Sequence, residues 1–273
     1  MERKLQALQG IIREMGSLVV AYSGGVDSTF LLRVARDVLG DSVVAVTATS
    51  LTYPSREYDE ARAMAEELGV RHVTVVSEEL DIPEFSTNPP ERCYHCKREL
   101  FAKLKEIALR EGMGFVADGS NLDDTGDYRP GMRAAEEAGI RSPLREVGLT
   151  KEHVRQLSKS LGLPTWDKPS FACLASRFPY GDRITPEGLQ MVGEAEDYLR
   201  GLGFRQVRVR HRGDLACVEV PAIDIGRFCD DGLRRRVAER LKEIGFIYVA
   251  LDLQGYRSGS MNEALPAGDP PVR

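Results

Sequence analysis

Three groups of residues have the types and spacing for chemistry. Ser23-Gly24-Gly25-Val26-Asp27-Ser28 sets two glycines, two hydroxyls and a carboxylate between an apolar run and an amphipathic one. That combination suits a phosphate ligand. Glycines let the backbone approach phosphate oxygens in conformations that a β-carbon hinders. Successive N–H groups and a helix N-terminus then present positive partial charge to an anion. Ser23 and Ser28 add hydroxyl donors, and Asp27 can position magnesium or the nucleotide. No lysine follows the glycines, so the loop is neither a GxxxxGK(S/T) P-loop nor a GxGxxG turn.

The second group is cysteine. Cys93-Tyr94-His95-Cys96 places two thiols about one helical turn apart, and Cys173 lies in the aperiodic stretch PSFACLASRFPYG. Such a pair suits zinc, an iron–sulfur cluster or a redox couple. Three thiols without a clear fourth ligand suit a 4Fe–4S cluster with one open iron, which can hold a sulfide. Lys168 and Arg177, close to Cys173 in sequence, would favour its thiolate. Cys217 and Cys229 stand alone and read as packed small hydrophobes. In the third group, Arg208 and Arg210 alternate with Val207 and Val209. A strand therefore carries both arginines on one face, and arginine suits bidentate phosphate binding.

The elements that must position these groups follow from periodicity. Residues 17–22 (SLVVAY), 42–47, 71–76 and 114–118 read as short β-branched strands, and 28–39, 55–68, 93–111 and 150–161 as helices. Their alternation predicts an α/β fold, a parallel sheet with helices on both faces, whose ligands sit outside the strand carboxyl ends. Thr150 is the expected N-cap of the last of these helices, with His153 completing its first turn. Residues 165–183 are rich in turn formers. Beyond them come helix 186–202, strands 206–211 and 215–220 around the turn Arg212-Gly213-Asp214, helix 232–244 and strand 246–251. That is a small C-terminal α+β domain. Hairpin pairing of even with odd positions puts Cys217 and Glu219 on the arginine face.

Bulk composition narrows the classes. In 273 residues, 42% are hydrophobic and 29% charged, with a net charge of −5. No global basic field invites nucleic acid. Arg13 and Glu14 interrupt the N-terminal apolar run, so it is not read as a secretory signal, and no stretch has the roughly 18 uncharged apolar residues of a membrane span. Five cysteines without a targeting segment predict reduced thiols and a cytoplasmic protein with neither membrane nor nucleic-acid partners.

SGGVDS after a buried strand resembles the PP-loop of the N-type ATP pyrophosphatases, which split ATP to AMP and pyrophosphate while adenylating a substrate. The resemblance implies an adenine nucleotide alpha-hydrolase-like fold using ATP and Mg2+. It implies that Ser23, Gly24, Gly25, Asp27 and Ser28 hold the pyrophosphate end of ATP, and that Thr47 lies near the adenosine. DGSNLDD, residues 118–124, resembles the second nucleotide-side segment of these enzymes, with Asp124 as a metal candidate.

NPPERCYHCKRELF and KPSFACLASRFPYGDRIT, together with those motifs, closely resemble the LarE family over most of the chain. LarE-like enzymes adenylate the carboxylates of pyridinium-3,5-biscarboxylic acid mononucleotide and convert them to thiocarboxylates, in the pathway to the nickel-pincer nucleotide cofactor of lactate racemase. One branch sacrifices the sulfur of a cysteine matching Cys173. The three-cysteine branch, which this chain resembles, passes on sulfide from a 4Fe–4S cluster; here Cys93, Cys96 and Cys173 would be the ligands. The resemblance makes Arg208 and Arg210 substrate-phosphate ligands and Glu219 a nearby acidic metal-site residue. Lys97 and Arg177 are candidates to offset charge during adenylation. It also implies a homo-oligomer, a trimer or hexamer. The expected domains are 1–165, an active-site loop and linker 166–184, a substrate and oligomerisation domain 185–255, and a loosely ordered tail 256–273.

Overall fold

Short apolar strands and longer amphipathic helices alternate through the first part of the computed structural model, which describes residues 1–126, 130–257 and 259–264. In chain order the elements are α1 (Glu2–Met15), β1 (Leu18–Ala21), α2 (Val26–Leu39), β2 (Val43–Thr49), α3 (Ser55–Glu67), β3 (Arg71–Val76), α4 (Pro83–Ser86), α5 (Arg92–Arg110), β4 (Phe115–Ala117), α6 (Pro130–Glu137), α7 (Pro143–Glu146) and α8 (Lys151–Ser160). They continue with α9 (Pro186–Gly201), β5 (Arg208–Arg212), β6 (Leu215–Glu219), α10 (Ala222–Ile225), α11 (Asp231–Ile244) and β7 (Tyr248–Leu251). The chain forms two compact units, Met1–Glu79 with Glu91–Phe171, and Leu80–Pro90 with the chain from Ala172.

The first unit is built on a four-stranded parallel sheet of order β3-β2-β1-β4. Strand alternation divides its core. Leu18, Val20, Val43 and Ala45 join Leu8, Ile12, Phe30, Leu31 and Val154 of α1, α2 and α8 on one face. Val19, Val44 and Val46 join Phe101, Leu104, Ala134 and Ala135 of α5 and α6 on the other. Each fully buried Leu, Ile or Phe among them contributes roughly 1.5–3 kcal/mol by leaving water. The α/β expectation holds, with the parallel sheet covered on both faces. β2 and β3 extend the sheet to one side of β1 and β4 lies on the other, so the topology switches between β1 and β4. That is where a ligand crevice opens in such sheets.

The second unit holds a three-stranded sheet of order β5-β6-β7, a β5–β6 hairpin with β7 parallel to β6. Its turn places Gly213 at φ 59, a left-handed conformation that glycine takes readily. Arg208 pairs with Glu219 and Arg210 with Cys217, the register expected from the alternation. α9 packs on β5 and α11, and α11 on β7. In the segment expected as a loose tail, Ser260–Ala264 forms a 3-10 turn, while residues 258 and 265–273 lie outside the described residues. No helix among the described residues is long and apolar enough to cross a membrane.

Candidate active site

The loop after β1 is shaped by ties on its carbonyl side. Tyr53 Oη donates to Ser23 O at 2.7 Å, and Lys168 Nζ donates to Gly24 O at 3.3 Å. With these carbonyls held, the loop leads into α2, whose first N–H groups have no acceptor within their own helix. Gly25 is the N-cap without a side-chain cap, and its carbonyl accepts the first helical bond from Thr29 N at 3.0 Å. Ser28 Oγ lies 3.2 Å from Ser23 Oγ and accepts from Ser23 N at 3.3 Å, so both hydroxyls cluster at the loop. Gly24 has φ 63, and a β-carbon there would lie 2.8 Å from Ala61 Cβ and 3.0 Å from Ala61 Cα. Only glycine fits this position without a shift. The cradle suits a phosphate chain: a helix N-terminus without a side-chain cap follows a glycine whose β-carbon would press on α3.

Lys168 is anchored by Glu57 at 2.9 Å and Glu60 at 2.7 Å. Burial pushes the Glu57 carboxyl up, but hydrogen bonds and charge from Lys168 and Arg56 outweigh it and hold Glu57 below the usual carboxylate range. Burial pulls Lys168 down, yet its two glutamates leave it above the ordinary lysine value. Lys168 is thus a support of the phosphate loop, with its charge engaged by two carboxylates. Burial, with the nearby Glu57 charge, likewise raises the Tyr53 phenol, which stays a neutral donor to Ser23 O.

β4 delivers the facing segment. A β-carbon on Gly119 would lie 2.9 Å from Ser28 N, so the two loops touch backbone to backbone at the switch point. Asp118 accepts from Ser120 N at 3.1 Å and from Ser142 Oγ at 2.8 Å, and Lys97 Nζ of α5 stands 3.8 Å from its carboxylate. Lys97 therefore reaches the same sheet edge as the phosphate loop. Asp124 accepts from Asn121 N at 2.9 Å. Asn121 Nδ2 in turn donates to Asp27 Oδ1 at 3.3 Å. Asp27 Oδ2 is ion-paired with Lys151 Nζ. Thr47 is buried beneath the site: its hydroxyl donates to Tyr22 O at 2.8 Å and lies 2.8 Å from His72 Nε2. It shapes the strand end, and burial lifts the adjacent Tyr22 phenol to about 12.

Lys151 and Tyr53 escaped the sequence reading, and Asn121 entered it only as part of the DGSNLDD segment. Lys151 carried a usable signal: a lysine in a first helical turn opposes the helix dipole unless an acid receives it.

In the second unit, Cys173 caps the 3-10 turn Leu174–Arg177. Arg177, expected to offset charge at a reacting centre, is fully buried instead. It donates to Glu196 at 2.7 and 2.9 Å, to Ala172 O at 2.6 Å and to Cys173 O at 3.1 Å. Its guanidinium fixes the cysteine's backbone. Burial would raise Glu196, but the charge and hydrogen bonds of Arg177, helped by Arg200, hold it below the carboxylate range. Arg208, Arg210 and Glu219 share one strand face, but all three are buried rather than open. Arg210 takes Glu219 in two bonds of 2.8 and 2.7 Å and donates to Ser176 O at 2.8 Å. Burial, then the neighbouring Arg177 charge, pulls Arg208 down to about 10, which leaves it charged at neutral pH.

All five cysteines are free, with Cys93 and Cys229 exposed and Cys96, Cys173 and Cys217 half-buried. The exposure of Cys229 departs from the packed role expected of it. Cys93 and Cys96 open α5 in the first unit, whereas Cys173 belongs to the second. Among the described residues no group of three or more His, Cys, Asp or Glu side chains is arranged to hold a metal.

A parallel sheet switched at β1, with a glycine-hinged anion loop after that strand, defines a PP-loop nucleotide-binding domain. The NAD synthase family model matches residues 1–93, and this class uses ATP with Mg2+. Among relatives, an uncharacterized protein of Synechocystis is 48% identical over 97% of this chain and 99% of its own. The pyridinium-3,5-bisthiocarboxylic acid mononucleotide synthase of Lactiplantibacillus plantarum is 41% identical over 96% of this chain and 95% of its own. An uncharacterized protein of Methanocaldococcus jannaschii is 28% identical over 94% of this chain and 98% of its own. The chain belongs to the LarE family of PP-loop enzymes.

Proposed function

We propose that the chain adenylates the carboxylates of pyridinium-3,5-biscarboxylic acid mononucleotide with ATP and exchanges AMP for sulfur, giving thiocarboxylates. The observation that carries the reading is the tied-back phosphate loop at the β1–β4 switch, in a chain similar over nearly its whole length to a synthase named for that product. Ser23, Gly24, Gly25 and Ser28 take the pyrophosphate end of ATP. A substrate carboxylate oxygen attacks the α-phosphorus and pyrophosphate leaves, so the donors that stabilise the leaving charge are those of the α2 N-terminus. Lys97, whose ammonium lies 3.8 Å from the Asp118 carboxylate, is proposed to offset that charge. Magnesium, held by Asp27 and Asp124 with phosphate oxygens, supplies charge neutralisation when bound.

For the sulfur step, Cys93, Cys96 and Cys173 are proposed as the sulfur-handling thiols. A 4Fe–4S cluster would take these three thiolates and leave one iron for sulfide; in the alternative, the sulfur comes from Cys173 itself. Its thiolate attacks the acyl-adenylate carbon and AMP leaves. Loss of the cysteine α-proton then releases the thiocarboxylate and leaves dehydroalanine. Arg208 and Arg210 are the proposed substrate-phosphate ligands beside Glu219, and the active form is proposed to be a trimer or hexamer with no nucleic-acid partner. Five free thiols suit a reducing cytoplasm.

The test is pyrophosphate release with the dicarboxylate mononucleotide, MgATP and wild-type or Cys173→Ala protein. Substrate-dependent release in both, with thiolated product only from wild type, supports the reading. No substrate-dependent release in wild type sinks it. Anaerobic iron analysis beside intact mass of the turned-over chain separates a cluster source from conversion of Cys173 to dehydroalanine, which lowers the mass by one hydrogen sulfide.

A further inference from the structure

Asp27 is the acid of the phosphate loop, and its carboxylate is already engaged. Oδ2 meets the Lys151 ammonium while Oδ1 accepts from Asn121 Nδ2 at 3.3 Å. Lys151 is the first residue of α8, and that position is fixed from several directions. Its own N–H donates to Asp123 Oδ2 at 2.8 Å. Leu122 N donates to Leu149 O at 2.8 Å, lacing the segment after β4 to the helix entry. Thr150 and His153 close a reciprocal cap, with His153 N donating to Thr150 Oγ1 and Thr150 N to His153 Nδ1, both at 3.2 Å. A cation in the first turn of a helix opposes the dipole, so the placement is explained by the partner it reaches.

The Lys151 side chain is 32% exposed and that of Asp27 19%, so the pair is open to an incoming ligand. Magnesium binds through one or two carboxylates plus substrate phosphates. An ammonium and a magnesium ion compete for the same Asp27 oxygen. Resting on the reading of this loop as the ATP site, we propose that Lys151 is a placeholder cation. Without nucleotide it neutralises Asp27. When MgATP arrives, Lys151 yields Asp27 to the metal and takes phosphate oxygens as its new partners. Metal alone meets a carboxylate already neutralised; metal with nucleotide brings the anion that draws Lys151 away.

The test measures Mn2+ binding without nucleotide by electron paramagnetic resonance, and MgATP binding by calorimetry. It uses the full chain as wild type, Lys151→Met and Lys151→Gln, the glutamine retaining a hydrogen-bond donor without the charge. Removing the ammonium is expected to tighten Mn2+ roughly tenfold and to weaken MgATP roughly tenfold, the scale of one charge-assisted hydrogen bond. The opposite signs are the signature, since mere structural damage weakens both. Asp27→Asn added to Lys151→Gln should abolish the Mn2+ gain. Unchanged or weaker Mn2+ binding in both Lys151 variants, with MgATP binding to wild type intact, overturns the placeholder alone. Failure of wild type to bind MgATP overturns the ATP-site reading and the placeholder with it.

Discussion

Replacing Gly24 by alanine tests the geometry of the phosphate loop directly. At φ 63 a β-carbon costs roughly 1–2 kcal/mol in backbone strain. The same atom would sit 2.8 Å from Ala61 Cβ and 3.0 Å from Ala61 Cα, inside contact distance of a fully buried residue of α3. Rotation of a side chain cannot relieve a clash with a helix backbone, and overpacking of this kind costs about 1–3 kcal/mol more. The sum, about 2–5 kcal/mol, appears in one of two places. If α3 gives way, the first unit melts lower, by the order of 10 °C. If the loop gives way, the melting point is kept and MgATP binding weakens by a factor of roughly 30 or more. Thermal melting and calorimetry on the same sample capture both. Ala61→Gly removes the nearest atom but leaves the Cα, and it carries a helix cost of about 1 kcal/mol. The double variant should therefore be less damaged than the sum of the singles, without full recovery. Gly24→Ala with wild-type melting and wild-type MgATP affinity would refute the claim that this loop requires glycine.

Glu196→Ala strands the Arg177 charge in the second unit, with an expected loss of about 3–5 kcal/mol in chemical denaturation. Because Glu196 is held below the carboxylate range, its stabilisation is present above the ordinary carboxylate pKa and is lost as pH falls through the folded value. An acid titration of stability should thus be shallower in Glu196→Gln, and equal slopes would count against the assignment. Asn88, buried at φ 58, donates to Phe178 O at 3.2 Å and Pro179 O at 2.6 Å, so Asn88→Ala should cost about 1–3 kcal/mol and melt the second unit first. Lys168→Met frees the Gly24 carbonyl and leaves Glu57 without its lysine, and should weaken MgATP binding about tenfold, read by calorimetry.

The parts legible in sequence are those whose cause is local. An apolar run, two glycines and an amphipathic helix identify the β1–α2 junction because each residue acts on its own backbone. Thr150 and His153 announce their cap for the same reason. α1 was not anticipated, although Leu5, Leu8, Ile12 and Met15 mark a helical stripe. α6 begins at Pro130 and passes through Gly131, where a β-carbon would lie 3.0 Å from Lys97 Cγ, a tertiary reason for glycine that no pattern reveals. Alternation correctly put Arg208, Arg210 and Glu219 on one face, but not their burial. Glu196, thirteen residues from Val209, reaches back to its N–H at 3.0 Å, and the turn after Cys173 covers Arg210 through Ser176 O. The attachment of residues 80–90 to the second unit is equally non-local, resting on bonds such as Gly181 N to Asn88 O at 2.9 Å.

The tie from Lys168 to Gly24 spans 144 positions, and Tyr53 is 30 positions from the carbonyl it holds. During synthesis the phosphate-loop motif leaves the ribosome well before residue 168, which brings its last support. At roughly 5–20 residues per second, that delay is on the order of ten seconds. A nascent chain therefore carries the motif without the finished cradle, and nucleotide capture becomes a late event of folding. Retention on an ATP matrix would then count completed first units, separating them from chains stalled with only β1 and α2 in place.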